Sequence, residues 1–136
     1  MELLQKEVAI YQLPIIFKGK AINVHELLVN YDAYVLPSMF EGFGIAAVEA
    51  MAVGLPLLLS DLTVLRTVTM NNALFFDVNH PMTFVILIKE IFEDKYDLNM
   101  LSEKGIKIAR NNYAKEAHIK KLFSIYDEIQ LLNNVK

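Results

Sequence analysis

Four short apolar runs punctuate this sequence, and between them apolar residues recur at helical spacing. The runs are Ile15-Ile16-Phe17, Ala33-Tyr34-Val35-Leu36, Leu57-Leu58-Leu59 and Ala73-Leu74-Phe75-Phe76, each flanked by Pro, Gly, Asn or Asp. A strand buried on both faces reads as a continuous apolar run, without the alternation of a half-exposed one. Such strands alternating with helices build βαβ units and a parallel sheet. The expected fold is therefore α/β: a partial doubly wound, Rossmann-like parallel sheet of about four strands with flanking helices. A complete nucleotide-binding domain of this kind has about six strands. This sequence opens on a helix, over residues 2–11, so we read it as entering such a domain partway.

The helices follow from periodicity and from their stops. Asn23 is placed to cap a helix whose apolar positions are Val24, Leu27, Leu28 and Tyr31. A second runs over residues 44–53 and ends at Gly54-Leu55-Pro56, a glycine and then a proline. Residues 82–93 carry Phe84, Leu87, Ile88, Ile91 and Phe92 on one stripe. Helices over 97–111 and 114–132 close the chain, the last with Ile119, Leu122, Phe123, Tyr126 and Ile129.

Composition narrows the function. The 136 residues suit one domain, and 54% are hydrophobic against 21% charged. With a mean hydropathy of +0.33, this fits a sheet covered on both sides or a surface meant to be covered. The net charge is −3 and the basic residues are scattered, so nothing marks a nucleic-acid surface. Without cysteine there is no disulfide framework and no thiolate metal site. His25, His80 and His118 have no metal-ligand spacing and read as surface residues. The acidic N-terminus lacks an apolar signal core. The most apolar stretch, residues 44–59, is broken by Glu49, Gly54 and Pro56 and is too short to span a bilayer. The expectation is a cytoplasmic protein, held at most peripherally at the inner face of a membrane.

In open parallel sheets, ligands bind beyond the carboxyl ends of the strands. The loops in question are 18–23, 37–44, 60–63 and 77–81. The second, Pro37-Ser38-Met39-Phe40-Glu41-Gly42-Phe43-Gly44, sets two glycines where a helix begins. Glycine lets a ligand approach the backbone, and the free N–H groups of a first helical turn attract an anion. The plainer alternative is a tight turn at Gly42 and Gly44, with Glu41 satisfying those amides. The following helix is apolar at every position but Glu49, which predicts a buried helix. A buried carboxylate requires hydrogen-bond donors, from a side chain or from ligand hydroxyls. Failing burial, Glu49 reaches water at the helix edge. The interval between Glu41 and Glu49 carries no weight alone, since one such pair among ten glutamates is expected by chance.

Leu36-Pro37-Ser38, Glu41-Gly42-Phe43-Gly44-Ile45, Glu49-Ala50-Met51-Ala52 and Gly54-Leu55-Pro56 together resemble the signature of retaining GT-B glycosyltransferases, the "glycosyl transferases group 1" family. The likeness covers nearly the whole chain and weakens through Ser60-Asp61, Leu74-Phe75-Phe76-Asp77 and the closing helices. It implies the C-terminal domain, which binds a nucleoside-diphosphate-sugar donor. Glu41 would contact the donor sugar near the reacting centre. Ser38 and the amides of Gly42, Phe43, Gly44 and Ile45 would meet sugar hydroxyls and phosphates, and Glu49 the ribose hydroxyls. Gly19, Lys20, Ala21 and Ile22 would lie near the base. No cofactor is implied, and the lack of an Asp-x-Asp motif fits the family's independence of metal.

Three departures bear on activity. The family's basic pair lies upstream of residue 1, and Lys18 and Lys20 do not match it. Thr67 replaces a common Glu, and the acceptor-binding N-terminal domain is missing. The resemblance thus implies donor binding without sugar transfer by this chain alone. Other readings are a sugar-nucleotide 2-epimerase, or a receiver domain, though Pro37-Ser38 stands where a receiver would carry its phosphorylated Asp. A self-associating remnant, pairing through an uncovered sheet edge or apolar face, is compatible with the glycosyltransferase reading.

Overall fold

The structure, a computed structural model, describes residues 2–133, with Met1 and residues 134–136 outside it. In chain order the elements are α1 (Glu2–Ile10), α2 (Val24–Leu28), β1 (Tyr34–Leu36), α3 (Ile45–Ala52), β2 (Leu57–Ser60), α4 (Thr63–Val68), β3 (Leu74–Phe76), α5 (Met82–Phe92), α6 (Leu98–Tyr113) and α7 (Lys115–Asn133). The strands form one parallel sheet in the order β1-β2-β3, with Tyr34 opposite Leu57 and Leu58 opposite Leu74. This is the α/β architecture that the apolar runs predict.

β2 is central and buried along its length, because both faces are covered. Alternate side chains of a strand point to opposite faces. Leu57 and Leu59 accordingly pack with Ala47, Ala50 and Met51 of α3 and Ile108 and Ala109 of α6. Leu58 turns the other way, joining Leu74, Phe76 and Leu87 of α5. α3 and α6 approach closely at Gly105, where an added Cβ would stand 2.9 Å from Met51 Cγ. α3 stops as its sequence predicts: Gly54 takes φ +85°, its N–H donates to Met51 O, and that of Leu55 donates to Ala50 O. These two bonds make a Schellman motif.

The structure corrects the sequence reading in several places. Residues 15–17 form no strand, so among the described residues the sheet has three strands and not four. Ile15, Ile16 and Phe17 are 51%, 77% and 38% exposed. A strand is made by its neighbours. No described strand pairs with residues 15–17.

α4 is unforeseen from sequence. Its residues, TVLRTV, are mostly β-branched and favour a strand locally; burial of Leu65 and Val68 against the core makes them helical. At α2, Asn23 does not cap by accepting an amide; its Nδ2 donates to Glu26 Oε1 at 3.0 Å. The apolar stripe of α7 faces solvent, with Ile119, Leu122, Phe123, Tyr126 and Ile129 all exposed. Among the described residues, no helix is long and apolar enough to cross a membrane.

Candidate functional site

The carboxyl ends of all three strands open on one cavity of about 280 Å³. Met39 lines it from the loop after β1, Ser60, Asp61 and Leu62 from the end of β2, and Asp77, Val78 and Asn79 from beyond β3. Three of the four loops expected to hold a ligand thus converge. The fourth, residues 18–23, does not line the cavity. Gly19 has φ +68° with nothing within 4 Å of where a Cβ would sit, Lys20 and Ile22 are exposed, and Ala21 is half-buried.

The loop from β1 to α3 is built from the residues that its sequence singles out. Ser38 Oγ donates to Glu41 Oε1 at 2.8 Å, fixing a half-buried carboxylate at the turn. Gly44 then adopts φ +86°, and a Cβ there would lie 2.7 Å from Leu65 Cδ2. Both the left-handed backbone and the close approach to α4 require glycine. Gly44 is the N-cap residue and offers no side chain; its carbonyl accepts from the amides of Ala47 and Val48. Among the described residues, none accepts from the amides of Gly42, Phe43, Gly44 or Ile45. Glu41 takes the Ser38 hydroxyl, so it does not fill that role. Four unpartnered donors thus gather at the positive end of an eight-residue helix.

Glu49 is placed differently from the sequence expectation. α3 is not buried all round: Ala47, Ala50 and Met51 face the core, while Ile45, Glu49 and Ala52 form an exposed stripe. Alanines fill both faces, so composition conceals which one is turned outward. The carboxylate reaches water, and its burial does not demand a partner. Glu41 and Glu49 nevertheless act on one neighbour. The Tyr34 phenol is pushed above its ordinary pKa by burial first, and then by the negative charges of Glu41 and Glu49.

The cavity also brings in charged groups that the sequence reading leaves without a role. Asp61 is gripped by Arg66, whose Nε and Nη2 each donate to one carboxylate oxygen, the latter at 2.8 Å. That hydrogen bond holds Asp61 below the usual carboxylate range. The Arg66 guanidinium also lies 4.1 Å over the Phe75 ring. Asp77 pairs with His80 Nδ1 at 2.7 Å and accepts the Asn79 amide at 2.8 Å, and these bonds, His80 first, lower its pKa. An Asp directly after a strand was the available signal for both. Among the described residues, no three His, Cys, Asp or Glu gather as metal ligands.

A parallel sheet with helices on both faces and a cavity at its carboxyl edge defines an open α/β unit. Comparison with known proteins refines that class. The chain belongs to the glycosyl transferases group 1 family, whose model matches residues 3–108. It is 24% identical over 119 residues to the lipopolysaccharide core biosynthesis mannosyltransferase LpsB of Rhizobium meliloti, covering 85% of this chain and 34% of that protein. It is 37% identical over 73 residues to the O-antigen chain mannosyltransferase RfbU of Salmonella typhimurium, covering 52% of this chain and 21% of that protein. The putative glycosyltransferase EpsF of Bacillus subtilis is 43% identical over 47 residues, 35% of this chain and 12% of that one. The fold is shared with sucrose-phosphate synthase from Thermosynechococcus elongatus, at a TM-score of 0.79 and 21% identity over 96% of this chain and 34% of that one. The chain thus spans about a third or less of the length of these relatives.

Proposed function

We propose that this chain is the C-terminal, donor-binding part of a retaining glycosyltransferase, which moves a sugar from a nucleoside diphosphate to an acceptor hydroxyl. One observation carries this reading: the unpartnered amides of Gly42, Phe43, Gly44 and Ile45 open beside the Ser38-braced Glu41. As the anomeric bond breaks, negative charge builds on the leaving diphosphate. Donors fixed in advance stabilise that charge without reorganising. A helix N-terminus contributes about 0.3–2 kcal/mol to such an anion.

Glu41 contacts the donor sugar. Glu49, exposed and free of a protein partner, accepts from the ribose hydroxyls with little desolvation cost. Gly19, Lys20, Ala21 and Ile22 lie on the base side. No metal or cofactor takes part. This chain binds a donor without transferring sugar. Transfer requires the acceptor-binding domain and its basic pair. Mannosyltransferases of lipopolysaccharide and O-antigen synthesis among the relatives support a role in cell-surface polysaccharide or glycolipid assembly. We propose that it acts on the cytoplasmic side of a membrane.

Amide chemical shifts followed during titration with UDP, GDP, ADP and their sugars test the site. Movement centred on residues 42–45 and Glu49 supports it; shifts confined elsewhere, or none, overturn it. In the full-length enzyme, Glu41→Ala should lower turnover on the order of a hundredfold, the scale of a misplaced reacting group. Wild-type turnover would remove Glu41 from the site.

A second reading concerns assembly. Among the described residues β1 pairs only with β2, and Ile15, Ile16 and Phe17 are exposed. An open edge and an apolar run favour self-association. Light scattering at micromolar concentration should show a dimer or larger species, and a clean monomer rules it out.

A further inference from the structure

The donor reading leaves open what holds the glycine loop in place, since its backbone makes few hydrogen bonds of its own. Two side-chain contacts seat it. Gly44 rests on Leu65 of α4, so closely that only a glycine fits. One residue earlier, the Phe43 ring meets the Tyr113 ring edge-on, with centroids 5.8 Å apart and planes at 87°. Tyr113 is itself anchored: its hydroxyl donates to Val68 O at 2.8 Å, satisfying a carbonyl at the end of α4. The ring also packs against the core cluster that holds Ala47, Leu65 and Ile108. α4, Tyr113 and residues 43–44 therefore close a ring of contacts around the start of α3.

We propose that Tyr113 is a positioning residue for the donor site, fixing through Phe43 the direction of the loop amides that receive the diphosphate. It touches no ligand and acts only through the loop. The position is notable because Tyr113 ends α6 and the next residue, Ala114, is extended at φ −64°, ψ 148°, before α7 begins. The bend between the last two helices thus sits directly on the contact that steadies the loop. An edge-to-face aromatic pair contributes enough to change an affinity about two- to tenfold.

This inference rests on the donor reading, and two measurements on the whole chain separate the two. The first is 15N relaxation of residues 42–46 without ligand. The second is calorimetric affinity for whichever of UDP, GDP and ADP binds the wild-type chain. In Tyr113→Leu, order at residues 42–46 should fall and the dissociation constant rise about two- to tenfold. Tyr113→Phe keeps the ring but loses the Val68 anchor, and should rescue both in part. Phe43→Leu, at a half-exposed side chain, should reproduce the effect of Tyr113→Leu, and the double variant should add nothing to either single one. If Tyr113→Leu does not fold, Phe43→Leu carries the test.

Unchanged loop order and affinity in the leucine variants overturn the inference, as does a Tyr113→Phe variant as impaired as Tyr113→Leu. If the wild-type chain binds none of the three nucleotides, the donor reading falls. The relaxation data then still decide whether Tyr113 holds the loop.

Discussion

Leu57-Leu58-Leu59 and Ile15-Ile16-Phe17 are nearly interchangeable as sequence, yet one is the centre of the sheet and the other is no strand at all. The leucines are 2%, 1% and 0% exposed, hydrogen-bonded to a strand on each side, with helices above and below. The isoleucine run has none of this. The apolar character of a triplet says that it will be covered if it can be; only neighbours make it a strand, because a ladder needs a partner for every N–H and C=O.

The largest test of that contrast is Leu59→Ala. The side chain is fully buried between β2, α3 and α6, so the change should cost about 2–5 kcal/mol, read from denaturant midpoints. A loss under about 1 kcal/mol, by the same principle, would mean that the core is looser than its packing implies.

Gly105→Ala probes the cover rather than the strand. Its new Cβ pushes on Met51 at 2.9 Å and should cost about 1–3 kcal/mol, less if Met51 swings aside. A neutral result would place the α3–α6 contact outside what holds β2.

Ile16→Ser should change stability by no more than about 0.5 kcal/mol, since the side chain is 77% exposed. A core-sized loss would reveal a hidden partner, and it would weaken the contrast between the two triplets.

The smallest effect lies at the rim of the sheet. Asp61 and Asp77 are held below the ordinary carboxylate value of 3.8 in the folded chain, so the unfolded chain takes up protons first. Their contribution is whole above that value and is lost as pH falls through the lowered ones. Both carboxylates are exposed, so the loss is slight. An acid-unfolding curve of Asp61→Asn should drop less steeply below pH 3.8 than that of the wild-type chain. Superimposable curves would show that the Arg66 pair contributes nothing.

The turn was legible where chemistry is local: Ser38, Glu41, Gly42 and Gly44 stand within eight residues of one another, and the two glycines mark the start of α3. The Ser38–Glu41 hydrogen bond and the left-handed Gly44 came only with the structure. Glu49 was legible as an unusual charge and illegible as an exposed one. Its helix is made of small residues on every face, so no hydrophobic stripe says which side meets β2. Tyr34, Asp61, Arg66 and Tyr113 could not be gathered from sequence at all, because parallel pairing and helix crossing join residues far apart in the chain. α4 failed for a related reason: its β-branched residues favour extension locally, and burial of Leu65 and Val68 outweighs that preference.

Sequence alone settled the α/β class, the parallel strands, the glycine-proline end of α3 and the turn before it, since periodicity and backbone conformation are properties of neighbouring residues. Tertiary structure alone decided which apolar run became a strand, which face of α3 met the core, and which side chains came to surround the glycine loop. Those outcomes depend on what lies across a sheet or a helix interface, and distance along the chain carries no record of it.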